Sequence, residues 1–319
     1  MGCLVLTSSF TLALQVEASA TCPDQALRET VQDCPWAGIA RTLTQKAAAQ
    51  KTLTTQDFQT EAPEIASQLK ADSKKTELKA LWGESINYDE LAKGTILDPA
   101  ILKVMTEIFK TPYINDRTAH AGMEHTYGYL FSTLQTAYGY KRARWVQGEL
   151  EAGFGLPHGV LSPDAPKTKG TLLENVTYFA GNIAFRTEPA TTLKTVHRLR
   201  FNVSKEIREF DFNKLKGTRL QEEIQNPNVV LRTDLVPFTR SDTSNPTGDQ
   251  YILVYSVVVN GTAKLITAFP VGQSMFDSVV NPANLGDGKP IITRYNAFID
   301  GVSGKTFNGT RKVTTGTSW

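Results

Sequence analysis

The chain has 319 residues, with 34 Lys and Arg against 32 Asp and Glu and a net charge of +2. This near balance, without a long basic block, argues against strong nonspecific binding to duplex DNA. With only three cysteines the fold must rest on a packed core rather than on a disulfide framework.

The first predicted element is a secretory signal peptide over residues 1–20, where an apolar run reaching Leu14 is followed by the small-residue site Ala18-Ser19-Ala20. The run is shorter than the roughly 20 apolar residues needed to span a bilayer, and no later segment approaches that length. The expectation is therefore a secreted or periplasmic protein with no stable membrane insertion. In an oxidising compartment the two cysteines left after cleavage, Cys22 and Cys34, read as one disulfide.

Residues 21–110 form a predicted helical region. One helix is expected over Pro35–Gln50 and another over Pro63–Trp82, where Ile65, Leu69, Leu78 and Leu81 recur near helical spacing. Asp98 is a predicted N-cap, with Pro99 at the first helical position of a segment reaching Lys110.

Residues 111–319 are read as an α+β region. Turn formers fill Thr111–Ala119, and Gly122–Ala143 reads as a further helix rich in aromatic residues, interrupted by Gly128 and Gly139. From Leu172 onward the pattern changes to strands. Leu199, Phe201 and Val203 alternate with Arg198, Arg200 and Asn202, Val229–Val236 is β-rich, and Ile291–Ile299 is a further strand. The sharpest local signal is Asn260-Gly261 between two β-branched runs, a two-residue hairpin turn that joins Tyr251–Val259 to Thr262–Phe269. Strands so long and apolar are expected at the centre of a sheet, with Pro270 ending the second. Helices followed by strands give an α+β fold: a helical N-terminal region, then a mainly antiparallel sheet.

Chemistry is carried first by histidine. Three of the four, His120, His125 and His158, fall close together, and imidazole exchanges protons near neutral pH. His120 and His125 stand five apart, which on a helix turns them about 140° from each other, so a helical zinc site is not expected. No Gly-x-Ser-x-Gly elbow, phosphate loop or dinucleotide fingerprint occurs, and no cofactor is expected. Glu149 and Glu151 would share a face if extended, which leaves open a glycan-acting hydrolase with paired carboxylates.

The run Lys264-Leu265-Ile266-Thr267-Ala268-Phe269-Pro270 at the end of the hairpin, together with Gly122-Met123-Glu124-His125, resembles the EndoU-type endoribonucleases and related barnase-like toxin nucleases. The resemblance is confined to these two segments. It implies metal-independent phosphodiester cleavage by 2′-OH attack on single-stranded RNA, with His125 and His158 as base and acid and Lys205 as the cation. Thr267 would bond the phosphate or base, with Arg198 and Arg200 as phosphate contacts. His120 and Tyr127 complete the expected substrate-binding set, Tyr127 as one of the rings near 127–145, Trp145 included, that could stack on bases. The alternative from another class is a non-enzymatic binding protein, with a small-molecule ligand in an aromatic-lined groove.

Overall fold

Helices fill the first part of the chain and strands the second in the computed structural model, which describes residues 36–89, 92–136, 139–142, 149–162, 170–188, 199–204, 206–224, 228–239, 249–280, 297–299, 302–303 and 311–318. The expected signal peptide, Cys22, Cys34, Trp145, His197, Arg198 and Lys205 lie outside the described residues. The α+β expectation holds.

Helix α1 (Trp36–Gln50) buries Trp36, Ala40, Leu43 and Ala47, a stripe at spacing three and four. Helix α2 (Thr55–Glu61) opens on a capping box between Thr54 and Asp57. The expected single helix from Pro63 to Trp82 is in fact two. Helix α3 (Pro63–Asp72) stops where the buried Asp72 carboxylate is held by Tyr127, Thr171 and Lys75, and α4 (Thr76–Lys79) is one further turn. Strand β1 (Glu84–Ile86) follows. In α5 (Pro99–Phe109) the Asp98 side chain accepts from Ala100 N at 2.8 Å, as the sequence predicts, and Lys110 ends the helix at φ 54°.

The expected aromatic helix over Gly122–Ala143 is broken up. Strand β2 (Thr118–His120) leads into α6 (Ala121–Thr126), then a 3-10 turn over Gly128–Phe131 and a short hairpin of β3 (Gln135–Thr136) and β4 (Gly139–Tyr140). Consecutive rings are drawn into the core here, Phe131 packing edge-on against Trp36 and Phe58, so no single helical face serves them all. Helix α7 (Glu149–Gly153) comes next. The expected strand character from Leu172 is also corrected: Leu172–Ala184 is helix α8, started by a capping box between Thr171 and Glu174.

Strands β5 (Arg200–Val203) and β6 (Glu206–Glu209) form a two-stranded ribbon. Strands β7 (Thr218–Ile224), β8 (Val229–Pro237), β9 (Asp249–Val259) and β10 (Thr262–Gly272) precede helix α9 (Gln273–Val280), strands β11 (Ala297–Ile299) and β12 (Val302–Ser303), and strand β13 (Arg311–Ser318). The main sheet is antiparallel in the order β10-β9-β8-β7-β13, and a smaller sheet runs β12-β11-β1-β2. The hairpin turn is as expected, with Asn260 at φ 49° and Gly261 at φ 80°. Its second strand is not central, however. β10 lies at the sheet edge, where a proline is tolerated, and runs through Pro270 to Gly272. Its burial comes from the helical region: Leu265 N donates to Leu81 O at 2.7 Å and Gly83 N donates to Leu265 O at 2.8 Å.

The sheet is covered on both faces. Ile252, Val254 and Val258 of β9 join a core that runs from Trp36 to Ala268 and crosses residue 110, whereas Leu253, Tyr255 and Val257 join a second cluster against α9. Among the described residues no helix is long and apolar enough to cross a membrane.

Candidate functional site

Helix α6 is short, and what holds it also aims its side chains. His120 caps it, its Nδ1 accepting from Met123 N at 3.4 Å while its Nε2 lies 3.1 Å from Lys79 O, a pair of contacts that suits the Nε2–H tautomer. Burial pushes the His120 pKa down to about 4, so the ring is neutral. At Gly122 the backbone lies against Trp82, whose indole donates to Thr177 Oγ1 at 2.8 Å. Adjacent positions of α6 then carry Glu124 and His125 into the interior, 0% and 4% exposed.

The partner of His125 comes from β10. The register of β10 on β9 slips between Leu265 and Thr267, so Ile266 is the extra residue of a β-bulge, a device that re-aims the side chains beyond it. Thr267 Oγ1 lies 2.9 Å from His125 Nδ1, and both are buried. The Tyr129 ring meets the imidazole edge-on at 4.7 Å. Among the described residues Nε2 of His125 has no hydrogen-bond partner. Burial first, and the Lys141 cation second, hold the His125 pKa well below the usual imidazole value.

Glu124 accepts from Ser85 Oγ at Oε2, and its Oε1 has no partner among the described residues. Burial lifts its pKa to about 7, against the opposing pull of Ser85 and Lys141. Lys141 Nζ lies 4.9 Å from the Tyr129 ring centroid and 3.2 Å from Asp89 Oδ2. The result is a buried acid and a buried neutral base at adjacent positions of α6, each with a buried hydrogen-bonding atom that has no partner among the described residues, and both under the influence of the Lys141 cation. Buried titratable groups with shifted pKa values and an unpartnered atom mark a candidate functional position.

The structure thus brings together two of the predicted site residues, His125 and Thr267, and separates others from them. His158 is exposed on the loop after α7 and is not among the contacts of His125. Tyr127 is no stacking platform: it is fully buried and donates to Asp72 Oδ2 at 2.6 Å. Both ring nitrogens of His120 are engaged internally, which leaves it no lone pair or proton for substrate. Arg200 sits on the exposed ribbon, its Nε donating to Glu209 Oε1 at 3.0 Å. The expected phosphate contact Arg198 and cation Lys205 lie outside the described residues.

The carboxylate pair is corrected as well. Glu149 and Glu151 lie on helix α7, not on an extended segment, and residues two apart on a helix do not share a face. Glu151 is buried, where it accepts from Leu161 N at 3.1 Å, Gly159 N at 3.3 Å and Ser162 Oγ, and so shapes the loop that carries His158.

Ser85 and Lys141 were not foreseen from the sequence, and only the placement of Glu124 inside an apolar aromatic segment hinted at its burial. Among the described residues no group of three His, Cys, Asp or Glu is arranged to hold a metal ion. No protein-family model, curated protein or solved structure matches the chain.

Proposed function

We propose that the chain is an exported hydrolase that cleaves single-stranded RNA by metal-independent proton transfer through His125. The observation behind this reading is the 2.9 Å contact between His125 Nδ1 and Thr267 Oγ1. With Nδ1–H donating to Thr267, the neutral ring keeps its lone pair on Nε2, the atom without a partner. That atom is then the base for a 2′-OH proton. A bound phosphodiester brings negative charge to the ring, which raises its pKa toward the working range. Glu124, with a pKa of about 7, suits the acid that protonates the leaving 5′-oxygen better than the exposed His158 does. Lys141 suits the cation that balances charge on the phosphoryl oxygens. Export through residues 1–20 and a Cys22–Cys34 disulfide belong to the same reading, and the mass of the secreted chain before and after reduction tests both.

The near-complete burial of Glu124 and His125 favours a second reading, a non-enzymatic binding protein in which the pair is structural. Turnover of a fluorescent single-stranded RNA in EDTA separates the two. Cleavage per folded molecule by the native chain, lost in His125→Ala and strongly reduced in Thr267→Val, supports the nuclease. No cleavage, or equal cleavage by all three, turns the reading to the binding protein.

A further inference from the structure

The β5–β6 ribbon has an open edge whose charges complement a second copy of the same edge. Strand β6 pairs with β5 in antiparallel register, and among the described residues no strand lies along its other side. All four of its residues, Glu206, Ile207, Arg208 and Glu209, are exposed. Ile207 is 59% exposed, a large apolar side chain left in solvent. An unpaired edge is a template for a further strand, and a two-stranded ribbon is stabilised when strands are added to it. No proline or glycine interrupts β6 to block such pairing.

The ladder with β5 fixes where the free backbone groups point. Phe210 N donates to Leu199 O at 3.0 Å, and hydrogen-bonded pairs alternate with non-hydrogen-bonded ones along an antiparallel ladder. Arg208 opposite Phe201, and Glu206 opposite Val203, are therefore hydrogen-bonded positions, whereas Ile207 opposite Asn202 and Glu209 opposite Arg200 lie between them. Glu206 and Arg208 direct their N–H and C=O groups to β5. Ile207 and Glu209 direct theirs to the open edge.

A second copy related by a two-fold axis would meet this edge antiparallel. Facing residues must then both present their backbone groups or both withhold them, so the axis passes through a residue and not between two. Centred on Glu206, Arg208 or Glu209, it sets that charge against its own copy, and like charges directly opposite destabilise a strand pair. Centred on Ile207, it lets the two isoleucines exchange both N–H···O=C bonds and pack their side chains together. Glu206 then faces Arg208 of the second copy, and Arg208 faces its Glu206. Arg208 Nη2 lies 3.7 Å from Glu206 Oε2 within the strand, so the four charges alternate in sign around the axis. No other centre within β6 avoids a like-charge pair.

We propose that the chain forms a two-fold dimer through β6, two ribbons joining as one four-stranded antiparallel sheet with Ile207 on the axis. The contact is isologous and short, so the dimer is weak and concentration-dependent. It does not rest on the nuclease reading, because His125, Thr267 and Glu124 take no part in it.

Sedimentation equilibrium over a series of concentrations tests it. The native chain dimerises, and Glu206→Arg and Arg208→Glu each weaken the dimer by about tenfold or more, since each turns two attractive cross-strand pairs into repulsive ones. Mixed in equal amounts, the two variants regain opposite charges at both pairs and form a heterodimer of native affinity. Ile207→Pro abolishes the dimer, because it removes the donor on the axis; it spares the ribbon, because that N–H points away from β5. The charge variants alter exposed side chains and keep the native thermal midpoint. If Ile207→Pro lowers the midpoint, the mixing experiment decides alone. A native chain that stays monomeric, with a Kd weaker than about 1 mM, overturns the proposal and leaves the edge to an extended segment of another protein. A dimer that the single charge variants leave intact, or that mixing them does not restore, overturns it as well.

Discussion

Asp72 and Tyr127, 55 residues apart, meet in the core through a 2.6 Å hydrogen bond from the phenol to the carboxylate. The same carboxylate accepts from Thr171 Oγ1 at 2.7 Å and pairs with Lys75 at 2.9 Å, while the Tyr127 oxygen accepts from Leu173 N at 3.2 Å. Three segments are therefore tied at one buried charge: the end of α3, the start of the 3-10 turn and the first turn of α8. Tyr127→Phe removes a donor from a carboxylate that water does not reach. Leaving a buried group short of a partner costs about 1–3 kcal/mol. The expected outcome is a urea midpoint lowered to match, with binding and turnover per folded molecule unchanged. A loss of RNA affinity at unchanged stability would instead return Tyr127 to the substrate surface.

The sheet is tied to the helices by a second buried charge. Arg219 Nε and Nη2 donate to Asp234 Oδ1 and Oδ2 at 2.8 and 3.0 Å, and Nη2 also donates to the carbonyls of Ile183 and Ala184 at the end of α8. Cations favour a helix C-terminus, so the guanidinium serves both the strand pair and the helix. Asp234→Asn leaves the guanidinium buried without its counter-charge and is expected to cost about 3–5 kcal/mol. Replacing both partners by apolar residues, Arg219→Met with Asp234→Leu, costs less than the single change. A chemical-denaturation comparison of the two variants checks the order.

Local chemistry made some elements legible in the sequence, and tertiary contacts hid others. Asn260-Gly261 announced its turn because both positions need positive φ, and Asp98-Pro99 announced α5 because the cap and the ring fit a first turn. The signal for α8 was also present: Thr171 with Glu174 three residues on is a capping box. The strand-rich sequence that follows soon after masks it. No spacing rule could give the edge position of β10, which depends on residues 81–83 reaching across to Leu265. The site divided the same way. His125 and Thr267 stood out through short segments, whereas Ser85 reaches Glu124 from 39 residues away through the packing of β1 on β2.

Gly122 has a role that side-chain patterning cannot reveal. A Cβ at this position would lie 2.7 Å from Trp82 Cγ. The indole cannot withdraw cheaply, since its N–H is bonded to Thr177 and its ring is part of the core. Gly122→Ala is therefore expected to destabilise the chain by about 1–3 kcal/mol, the usual cost of overpacking. Because α6 also carries Glu124 and His125, a shift of the helix would disturb the 2.9 Å contact to Thr267. The thermal midpoint measures the first effect, and RNA turnover per folded molecule measures the second.

Glu124 gives the chain a pH signature whose sign can be worked out. Its ordinary pKa is 4.5, and burial raises it to about 7 in the folded state. Between these values the folded chain holds a proton that the unfolded chain has released. Stability contributed by the protonated form is fully present below about pH 4.5 and is lost as pH rises through about 7. His125 acts in the opposite sense. Its folded pKa is held well below 6.5, so its contribution is present above that value and falls as pH drops below it. The two slopes overlap and partly cancel in the native chain, so a difference measurement is needed. Glu124→Gln keeps an acceptor for Ser85 and removes the titration. Its stability relative to the native chain should rise between about pH 4.5 and 7, by an amount on the order of 3 kcal/mol for a shift of this size, and stay level above. Urea unfolding of both proteins across that range checks it. A flat difference would mean that Glu124 is ionised in the folded state at neutral pH, and would remove it as the acid in RNA cleavage.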